Sequence, residues 1–273
     1  MNFVCPFKDS LWRYRFSIIT PTYNRVDLIT RTYESLCTQT FQEFEWIVID
    51  DGSTDGTRDL VLSWNARFPI RYFWKPNGGL HTALNVGTYL AKGEFVTQVD
   101  SDDYCVPHAL ERLDYLWRQI PNPERFSHLV GLCRNEDGVI LGTPLSSDYI
   151  DIFKLRNALS LVDADRWGIV RTDIARQFPY PVFKNERFVM PGLIHNRILS
   201  RYAVRYFNEA LLLVRHTPGH MSSVDLRWSS PKGAALYHAE LAMHDVPLKM
   251  RLKSALNALR FSALAAGRTL MSH

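Results

Sequence analysis

The 273-residue sequence has no uninterrupted run of about 18–20 apolar residues, so it predicts no membrane-spanning helix. Its first residues, MNFVCPFKDSLWRYRF, contain neither a continuous apolar segment nor a small-residue cleavage site, and no secretory signal is expected. Only four cysteines are present, and no two of them form a CxxC pair, which argues against a zinc cluster or a disulfide framework. We therefore expect a reducing, cytoplasmic setting.

The chain also lacks repeats, low-complexity tracts and linkers rich in Pro, Gly or Ser, which favours one continuous domain. A hydrophobic content of 46% and a charged content of 22% are typical of a soluble globular protein. The net charge of +4 is too small to require a nucleic-acid partner, and none is expected. No acidic residue follows Asp245, however, whereas five basic residues do: Lys249, Arg251, Lys253, Arg260 and Arg268.

The first 120 residues alternate strand and helix patterns. Short apolar runs predict strands at 16–20, 45–50, 71–74 and 94–99, and helical spacing predicts helices at 26–39, from 54 or 55 to 67, and at 79–91. Such a series predicts an α/β fold with a Rossmann-like, mostly parallel sheet and helices on both faces. Further along, the pattern predicts short strands near 127–133, 139–142, 203–207 and 211–214, a helix near 187–201, and helical structure over 231–270.

Polar residues cluster directly after each of the four predicted strands, at 21–25, 50–57, 75–81 and 100–103. In an open α/β sheet, ligands bind outside the carboxyl ends of the strands. The topology therefore predicts that these four turns converge on a single site at one edge of the sheet.

The second turn reads Asp-Asp-Gly-Ser-Thr-Asp from residue 50. A carboxylate at a strand end, inside a tight glycine turn, can accept hydrogen bonds from the edge of a base or a sugar. Turn formation and helix capping are the alternative explanation for Ser53, Thr54 and Asp55.

The fourth turn places three carboxylates within four residues, Asp100, Asp102 and Asp103. They repel one another, and hard oxygen ligands of this kind suit Mg²⁺ or Mn²⁺, which also engage substrate phosphates. The alternative is a solvated acidic turn.

The third turn, Lys-Pro-Asn-Gly-Gly at 75–79, is followed by His81. Glycines let backbone amides approach an anion, and Lys75 and His81 can neutralise a diphosphate. The spacing matches neither a P-loop nor a GxGxxG fingerprint, so it gives no support to an ATPase or a dehydrogenase. An ordinary strand-to-helix turn remains the alternative.

Taken together, PTYNR (21–25), DDGSTDGT (50–57), NGG (77–79) and QVDSDD (98–103) closely resemble a family 2 glycosyltransferase of the GT-A fold, over about residues 15–215. The resemblance implies a metal-dependent, inverting enzyme that transfers a sugar from a nucleotide diphosphate sugar, with UDP as the expected nucleotide. The implied acceptor is a saccharide or a lipid-linked molecule, in the synthesis of a surface polysaccharide or glycolipid.

The resemblance also implies roles for individual residues. Tyr23 is expected near the base, Asp51 at the edge of uracil or another base, Asp100 nearer the ribose, and Asp102 as the main ligand of Mn²⁺ or Mg²⁺, with Asp100 beside it. The implied donor site consists of Pro21, Thr22, Tyr23, Asn24, Asp51, Lys75, Asn77, Gly79, His81, Asp100, Ser101 and Asp102.

The sequence departs from the family pattern at the helix after the Asn-Gly turn. The family often has an arginine where this chain has Leu84. We hypothesise that His81 replaces that charge.

A second departure concerns the catalytic base, which an inverting transfer needs in order to deprotonate the acceptor hydroxyl. The family commonly has an acid six residues before the arginine that matches Arg197, and this chain has Pro191 there. Glu186, the nearest acid upstream, is the candidate base, and Asp163 and Asp165 are weaker ones. The alternative for Glu186 is a surface residue in a charged loop.

Four further side chains are candidates for secondary roles. His216 and His220 follow a predicted strand and are candidate metal or phosphate contacts, although ordinary loop histidines are the commoner case. Trp167 and Trp228 lie in less regular stretches and are candidates for stacking on an acceptor sugar.

We expect a GT-A domain over 1–230 and a basic, amphipathic helical extension over 231–273. Read as a helix, 248–270 places one set of apolar residues on a single face: Leu248, Leu252, Leu256, Leu259, Ala263, Ala266 and Leu270. Such a helix either lies on an anionic membrane at the inner face of the plasma membrane or packs its leucines on the domain.

Two other functions remain open. A nucleotidyltransferase would carry a glycine-rich, basic loop after the first strand, and PTYNR is not such a loop. A nucleotide-sugar-binding protein without a competent base is consistent with Pro191.

Overall fold

The computed structural model describes residues 12–159, 165–215 and 223–271. Its strands are β1 (Tyr14–Thr22), β2 (Phe44–Asp50), β3 (Ile70–Trp74), β4 (Gly93–Gln98), β5 (Tyr104–Cys105), β6 (Phe126–Arg134), β7 (Ile140–Leu141), β8 (Tyr149–Ile152), β9 (Arg166–Arg171) and β10 (Ala203–Leu213). Its helices are α1 (Ile29–Cys37), α2 (Thr57–Ser63), α3 (Leu80–Leu90), α4 (Ala109–Arg118), α5 (Leu155–Leu159), α6 (Thr172–Ala175), α7 (Gly192–Leu199), α8 (Ser223–Ser229), α9 (Pro231–Met243) and α10 (Leu248–Met271).

All of these strands belong to one sheet, in the order β3-β2-β1-β4-β9-β6-β10-β5, with β7 beside β6 and β8 beside β10. The first four strands are mutually parallel, and β9 enters antiparallel between β4 and β6. β6 and β10 again run with β1, so six of the ten described strands share one direction. This arrangement confirms the predicted mostly parallel α/β sheet.

The sheet carries helices on both faces, as predicted, because successive side chains of a strand point to opposite sides. In β1, Phe16 and Ile18 belong to the larger core cluster, which includes residues of α1 and α4. Ile19 belongs to a second cluster that contains Ala83 and Leu84 of α3. Both strand faces are therefore covered, which explains the continuous apolar runs in β1 and β2.

The strand β9 did not stand out in the sequence. Its residues RWGIVR begin and end with arginine and contain a glycine, so they form no apolar run. The glycine is required by packing, since a Cβ at Gly168 would lie 1.9 Å from the carbonyl oxygen of Leu129 in β6. The two strands predicted near 203–207 and 211–214 are one strand, β10, whose pairing with β6 shifts register between Tyr206 and Ala210.

The predicted helical extension is present as α9 and α10, separated by a short break that ends at Pro247. A proline inside a helix lacks the backbone donor and clashes with the preceding turn, which explains the break. The leucine face of α10 does not pack on the domain, because Leu252 and Leu256 are exposed while Ser254 and Phe261 are buried. No helix in the described part of the chain is long and apolar enough to cross a bilayer.

Candidate functional site

The sheet register brings the polar turns to one edge. Thr22, Asp50 and Trp74, the last residues of β1, β2 and β3, lie side by side. The pairing continues into the turns, because the Asp51 amide donates to the Thr22 carbonyl (2.8 Å) and the Lys75 amide to the Asp50 carbonyl (2.9 Å). The turns that follow these three strands therefore begin at the same edge of the sheet.

Asn24 and Ser53 fix the first turn to the second. Asn24 lies in the left-handed backbone region (φ 52°), which asparagine tolerates better than most residues. Its amide donates to Ser53 Oγ (2.9 Å), and its side-chain oxygen accepts the Thr54 amide (2.8 Å). Tyr23 beside it is half exposed, and the buried Thr22 Oγ1 has no hydrogen-bond partner among the described residues. This corner therefore offers a hydroxyl and an aromatic ring to a ligand.

The buried carboxylate of Asp51 joins the second turn to the third. It accepts hydrogen bonds from the Gly78 amide (2.9 Å) and the Gly79 amide (2.7 Å) and forms an ion pair with Lys75 Nζ. Lys75 also donates to Thr82 Oγ1 (2.8 Å). The predicted donor residues Asp51, Lys75 and Gly79 are thus in direct contact, and Asp51 shapes the glycine turn.

Asp50 has a different set of partners. It is fully buried, accepts the Ser53 amide (2.7 Å) and accepts the Tyr72 hydroxyl (2.6 Å). Burial, with the negative charge of Asp50, raises the pKa of Tyr72. Asp50 therefore holds the strand end and the turn, and the Asp51 carboxylate next to it faces the glycine turn.

Gly79 lies directly against a distant loop. Its φ of 90° is a conformation that disfavours a side chain, and a Cβ there would lie 1.9 Å from the Arg187 carbonyl oxygen. Asn77, in the same turn, lies against Gly52, whose Cβ would be 3.0 Å from the Asn77 nitrogen. The segment that carries Glu186 therefore lies beside the glycine turn.

The carboxylate of Glu186 is buried and binds the first turn of α9. One oxygen accepts the Lys232 amide (2.8 Å) and the other accepts the Gly233 amide (2.9 Å). The first amides of a helix have no partner inside the helix, and an acidic side chain there is favourable. These contacts favour a capping role for Glu186, which is therefore not a surface residue of a charged loop, and its role as the base stays a prediction.

His81, at the start of α3, is almost completely buried, and neither ring nitrogen has a hydrogen-bond partner among the described residues. Burial lowers the pKa of His81, with Asp51 and Lys75 as its charged neighbours. A lowered pKa disfavours the charged imidazole that we hypothesised in place of an arginine, and the role of His81 stays a prediction. The imidazole still offers an N–H to a bound oxyanion.

Side chains of α1 and β4 stabilise the acidic turn. Thr32 Oγ1 donates to the Asp103 carbonyl (2.8 Å), and Gln98 Nε2 donates to Asp100 Oδ1 (2.6 Å). Burial and the negative charge of Asp100 raise the pKa of Asp103 to about 8, and the charges of Asp102 and Asp165 act in the same direction. These acids are therefore close enough to repel one another.

Asp100 and Asp102 fit a divalent cation that arrives together with a phosphate ligand. No group of three or more His, Cys, Asp or Glu side chains able to hold a metal occurs in the described residues. Mg²⁺ is usually bound by one or two carboxylates together with substrate phosphates, and not by a cage of protein ligands. Two carboxylates in a repulsive acidic turn are consistent with this kind of site.

The other candidates are placed as follows. Trp167 is buried, and its Nε1 donates to the Gln98 carbonyl (2.7 Å), so the expectation that it stacks on a sugar is wrong. Trp228 packs on Phe261, with a ring-centroid distance of 5.0 Å. Asp163, His216 and His220 lie outside the described residues.

Sequence patterns did not identify three supporting residues of the site. Thr82 binds Lys75, Thr32 holds the acidic turn, and the Arg187 carbonyl contacts Gly79. The sequence did mark Gly79, as a glycine in a turn. A turn glycine does not, however, identify the segment that packs against it.

Residues 17–150 match the family described as Glycosyl transferase family 2. The chain is 40% identical over 96 residues to the chondroitin synthase of Pasteurella multocida (strain Pm70), which covers 35% of this chain and 10% of that protein. It is 35% identical over 117 residues to an uncharacterised glycosyltransferase of Rickettsia typhi, which covers 43% of this chain and 36% of that protein. The chain thus matches only a minor part of the length of these relatives.

Solved structures resemble the chain over most of its length. Residues 1–349 of S. aureus TarS, in complex with UDP-GlcNAc, superpose with a TM-score of 0.65 at 23% identity over 92% of this chain and 72% of that one. The mannosyltransferase PcManGT of Pyrobaculum calidifontis, in complex with GDP-Man and Mn²⁺, superposes with a TM-score of 0.58 at 17% identity over 95% of this chain and 76% of that one. The fold is therefore GT-A, as the sequence predicted.

Proposed function

We propose, from the match of residues 17–150 to glycosyl transferase family 2, that the chain is a glycosyltransferase of this family and uses a nucleotide diphosphate sugar. We propose UDP as the nucleotide, a divalent cation as cofactor, and inversion at the sugar carbon. The proposed acceptor is a saccharide or a lipid-linked molecule of a surface polysaccharide or glycolipid, reached from the cytoplasm. TarS in complex with UDP-GlcNAc supports the choice of donor class.

One observation carries the proposal. The Asp51 carboxylate binds Lys75 and the Gly78 and Gly79 amides, while the Asp100 and Asp102 turn follows β4 at the same edge of the sheet. The glycine turn with Lys75 supplies a positive charge, and Asp100 with Asp102 supplies a pair of carboxylates. A diphosphate needs the first, and its metal needs the second.

The chain's own groups divide the work of donor binding. Tyr23 and Thr22 offer a ring and a hydroxyl to the nucleoside, and His81 offers an N–H to the diphosphate. Asp102, with Asp100, would hold the metal, which supplies positive charge to the leaving diphosphate. Lys75 is positioned by Asp51 and Thr82 at the glycine turn, where its charge acts on the same leaving group.

The experiment is calorimetric titration of the chain with UDP, with and without Mn²⁺. We expect Mn²⁺ to strengthen UDP binding by about tenfold or more, since a charged metal contact of about 1.4 kcal/mol already corresponds to that factor. Asp102→Ala should lose the dependence on Mn²⁺. Asp148→Ala, an exposed acid outside the site, is the matched control and should bind as the wild type does.

Each other result has a definite meaning. Binding of GDP instead of UDP would change only the nucleotide. Absence of binding by any nucleoside diphosphate in the presence of metal would refute the proposal.

A nucleotide-sugar-binding protein without turnover is the second candidate. It is favoured by Pro191, which occupies the expected acidic position, and by the contacts of Glu186 with α9. Metal-dependent UDP binding without release of UDP from UDP-sugars, with or without saccharide acceptors, would identify this function.

A further inference from the structure

The outward face of α10 is apolar over three turns. Leu248, Leu252, Leu256 and Leu259 are between 59% and 70% exposed, and they follow one another at spacings of four, four and three residues. Residues at these spacings share one side of a helix. Isolated exposed leucines are ordinary on protein surfaces, but a continuous stripe of four marks an interaction surface.

The opposite face of α10 fixes this orientation. Ser254 and Phe261 are buried, and the Phe261 ring packs against Trp228 at a centroid distance of 5.0 Å and against His238 at 5.8 Å. The Arg260 guanidinium lies 4.5 Å above the Trp228 ring. The leucines therefore cannot turn inward without breaking aromatic contacts with α8 and α9.

Positive charge flanks the leucine stripe. Lys249, Lys253 and Arg260 are exposed and follow one another at spacings of four and seven residues, so they share one side of the helix. This side lies next to Leu252 and Leu256. No acidic residue occurs after Asp245, so these charges have no carboxylate partner within α10. An apolar stripe edged by unbalanced basic residues is complementary to an anionic lipid surface.

A second copy of the chain fits this face less well. The sequence spacing from Leu252 through Leu256 and Leu259 would also form a seam between two helices. Such a seam is normally flanked by residues of both charge signs, whereas α10 has only lysine and arginine there, with Lys253 and Arg260 beside the seam. Pairing two copies would bring like charges together.

We propose that α10 docks the protein on anionic lipid bilayers, with Leu248, Leu252, Leu256 and Leu259 in the acyl boundary and the flanking lysines on the headgroups. The helix lies in the plane of the interface and carries its charges on one edge. This docking does not depend on the proposed function, because it is measured without donor or acceptor.

The test is co-sedimentation of the full chain with vesicles of equal parts phosphatidylcholine and phosphatidylglycerol, compared with phosphatidylcholine alone. We expect binding to the anionic vesicles that weakens with added salt. The triple variant Leu252→Ser, Leu256→Ser and Leu259→Ser should lower the partition coefficient at least tenfold, since each leucine removes buried apolar area. Lys249→Gln with Lys253→Gln should lower it about fivefold per lysine.

Matched controls separate docking from general surface effects. Leu62→Ser changes an exposed leucine on α2, and Lys92→Gln with Lys154→Gln removes two exposed lysines elsewhere, so both should bind vesicles as the wild type does. The changed leucines are exposed, so the triple variant should keep the wild-type unfolding temperature.

Three results would overturn the proposal. The first is a wild type that does not bind anionic vesicles. The second is a triple leucine variant that binds them as tightly as the wild type. The third is sedimentation equilibrium that shows a wild-type dimer, dissociated by the leucine changes, together with no vesicle binding, which would assign the face to a second copy.

Discussion

At the scale of single residues, the buried acids Asp51 and Glu186 use their carboxylates in the same way. Each accepts a pair of backbone amides, from Gly78 and Gly79 in one case and from residues 232 and 233 in the other. Both oxygens of such a carboxylate are occupied by backbone hydrogen bonds, and losing them would leave buried amides without a partner. Such a residue is well suited to shaping a loop and poorly suited to taking a proton during a reaction.

This comparison separates two candidates for the general base. Asp165 is exposed, directly precedes β9, and its charge acts on the Asp103 carboxyl. We predict that Asp165→Asn lowers turnover about 100-fold or more, because an asparagine side chain cannot take up the proton of the acceptor hydroxyl. We predict that Glu186→Gln keeps turnover but unfolds at a lower temperature, because the amide NH2 replaces one of the two oxygens that accept backbone hydrogen bonds.

The measurement is the rate of sugar transfer by each variant, with thermal unfolding of the same variants. Loss of turnover in Glu186→Gln, with an unfolding temperature like that of the wild type, would assign the base to Glu186 and contradict the capping role.

The contact between Gly79 and Arg187 gives a second prediction at this scale. An alanine methyl at Gly79 would meet the Arg187 carbonyl oxygen at 1.9 Å in a backbone conformation (φ 90°) that disfavours a side chain. We expect Gly79→Ala to lower the free energy of unfolding by about 2 kcal/mol or more, the sum of overpacking and backbone strain, and to weaken UDP binding.

Gly267→Ala is the matched control, because Gly267 lies in α10 with no atom within 4 Å of a Cβ. It should be neutral or slightly stabilising, since alanine favours a helix. Chemical denaturation measures both variants. A Gly79→Ala protein as stable as the wild type would show that the loop at 183–189 does not rest on the glycine turn.

At the scale of elements, the parts that the sequence predicted are those whose pattern is local. β1 and β2 contain short apolar runs because both faces of each strand are covered, and a polar turn follows each of them. A run of this kind and its turn occupy neighbouring positions in the chain. The parallel order of the strands then follows from the alternation with helices, and with it the edge at which the site lies.

The elements that escaped prediction depend on partners far away in sequence. β9 carries polar residues at both ends and pairs with β4 and β6, so its strand character comes from its neighbours. The contact of Arg187 with Gly79 and the capping of α9 by Glu186 are likewise contacts between distant segments. A periodic pattern describes which face of an element is apolar and does not identify the residue that will cover it.

At the scale of the whole molecule, the C-terminal helices share contacts and core with the rest of the chain. Arg197 of α7 forms a two-bonded ion pair with Glu240 of α9, at 2.6 and 2.8 Å. Leu241 and Val246 belong to one buried cluster with Leu155. The boundary that we predict at residue 230 therefore separates two regions of sequence that pack on each other, and we expect them to unfold together.

We predict that Arg197→Met lowers the temperature of a single, cooperative unfolding transition by a few degrees. The side chains of Arg197 and Glu240 are 29% and 21% exposed, so the two charged hydrogen bonds contribute about 1–2 kcal/mol to the stability of the fold. Arg31→Met is the control, because the pair of Arg31 with Glu136 is 50% and 41% exposed and should contribute less than about 1 kcal/mol. Circular dichroism follows the helices and tryptophan fluorescence the tertiary packing, and for one cooperative unit both should report the same midpoint. Two separate transitions in the wild type, with only the earlier one shifted by Arg197→Met, would instead mean that α9 and α10 unfold independently of the sheet.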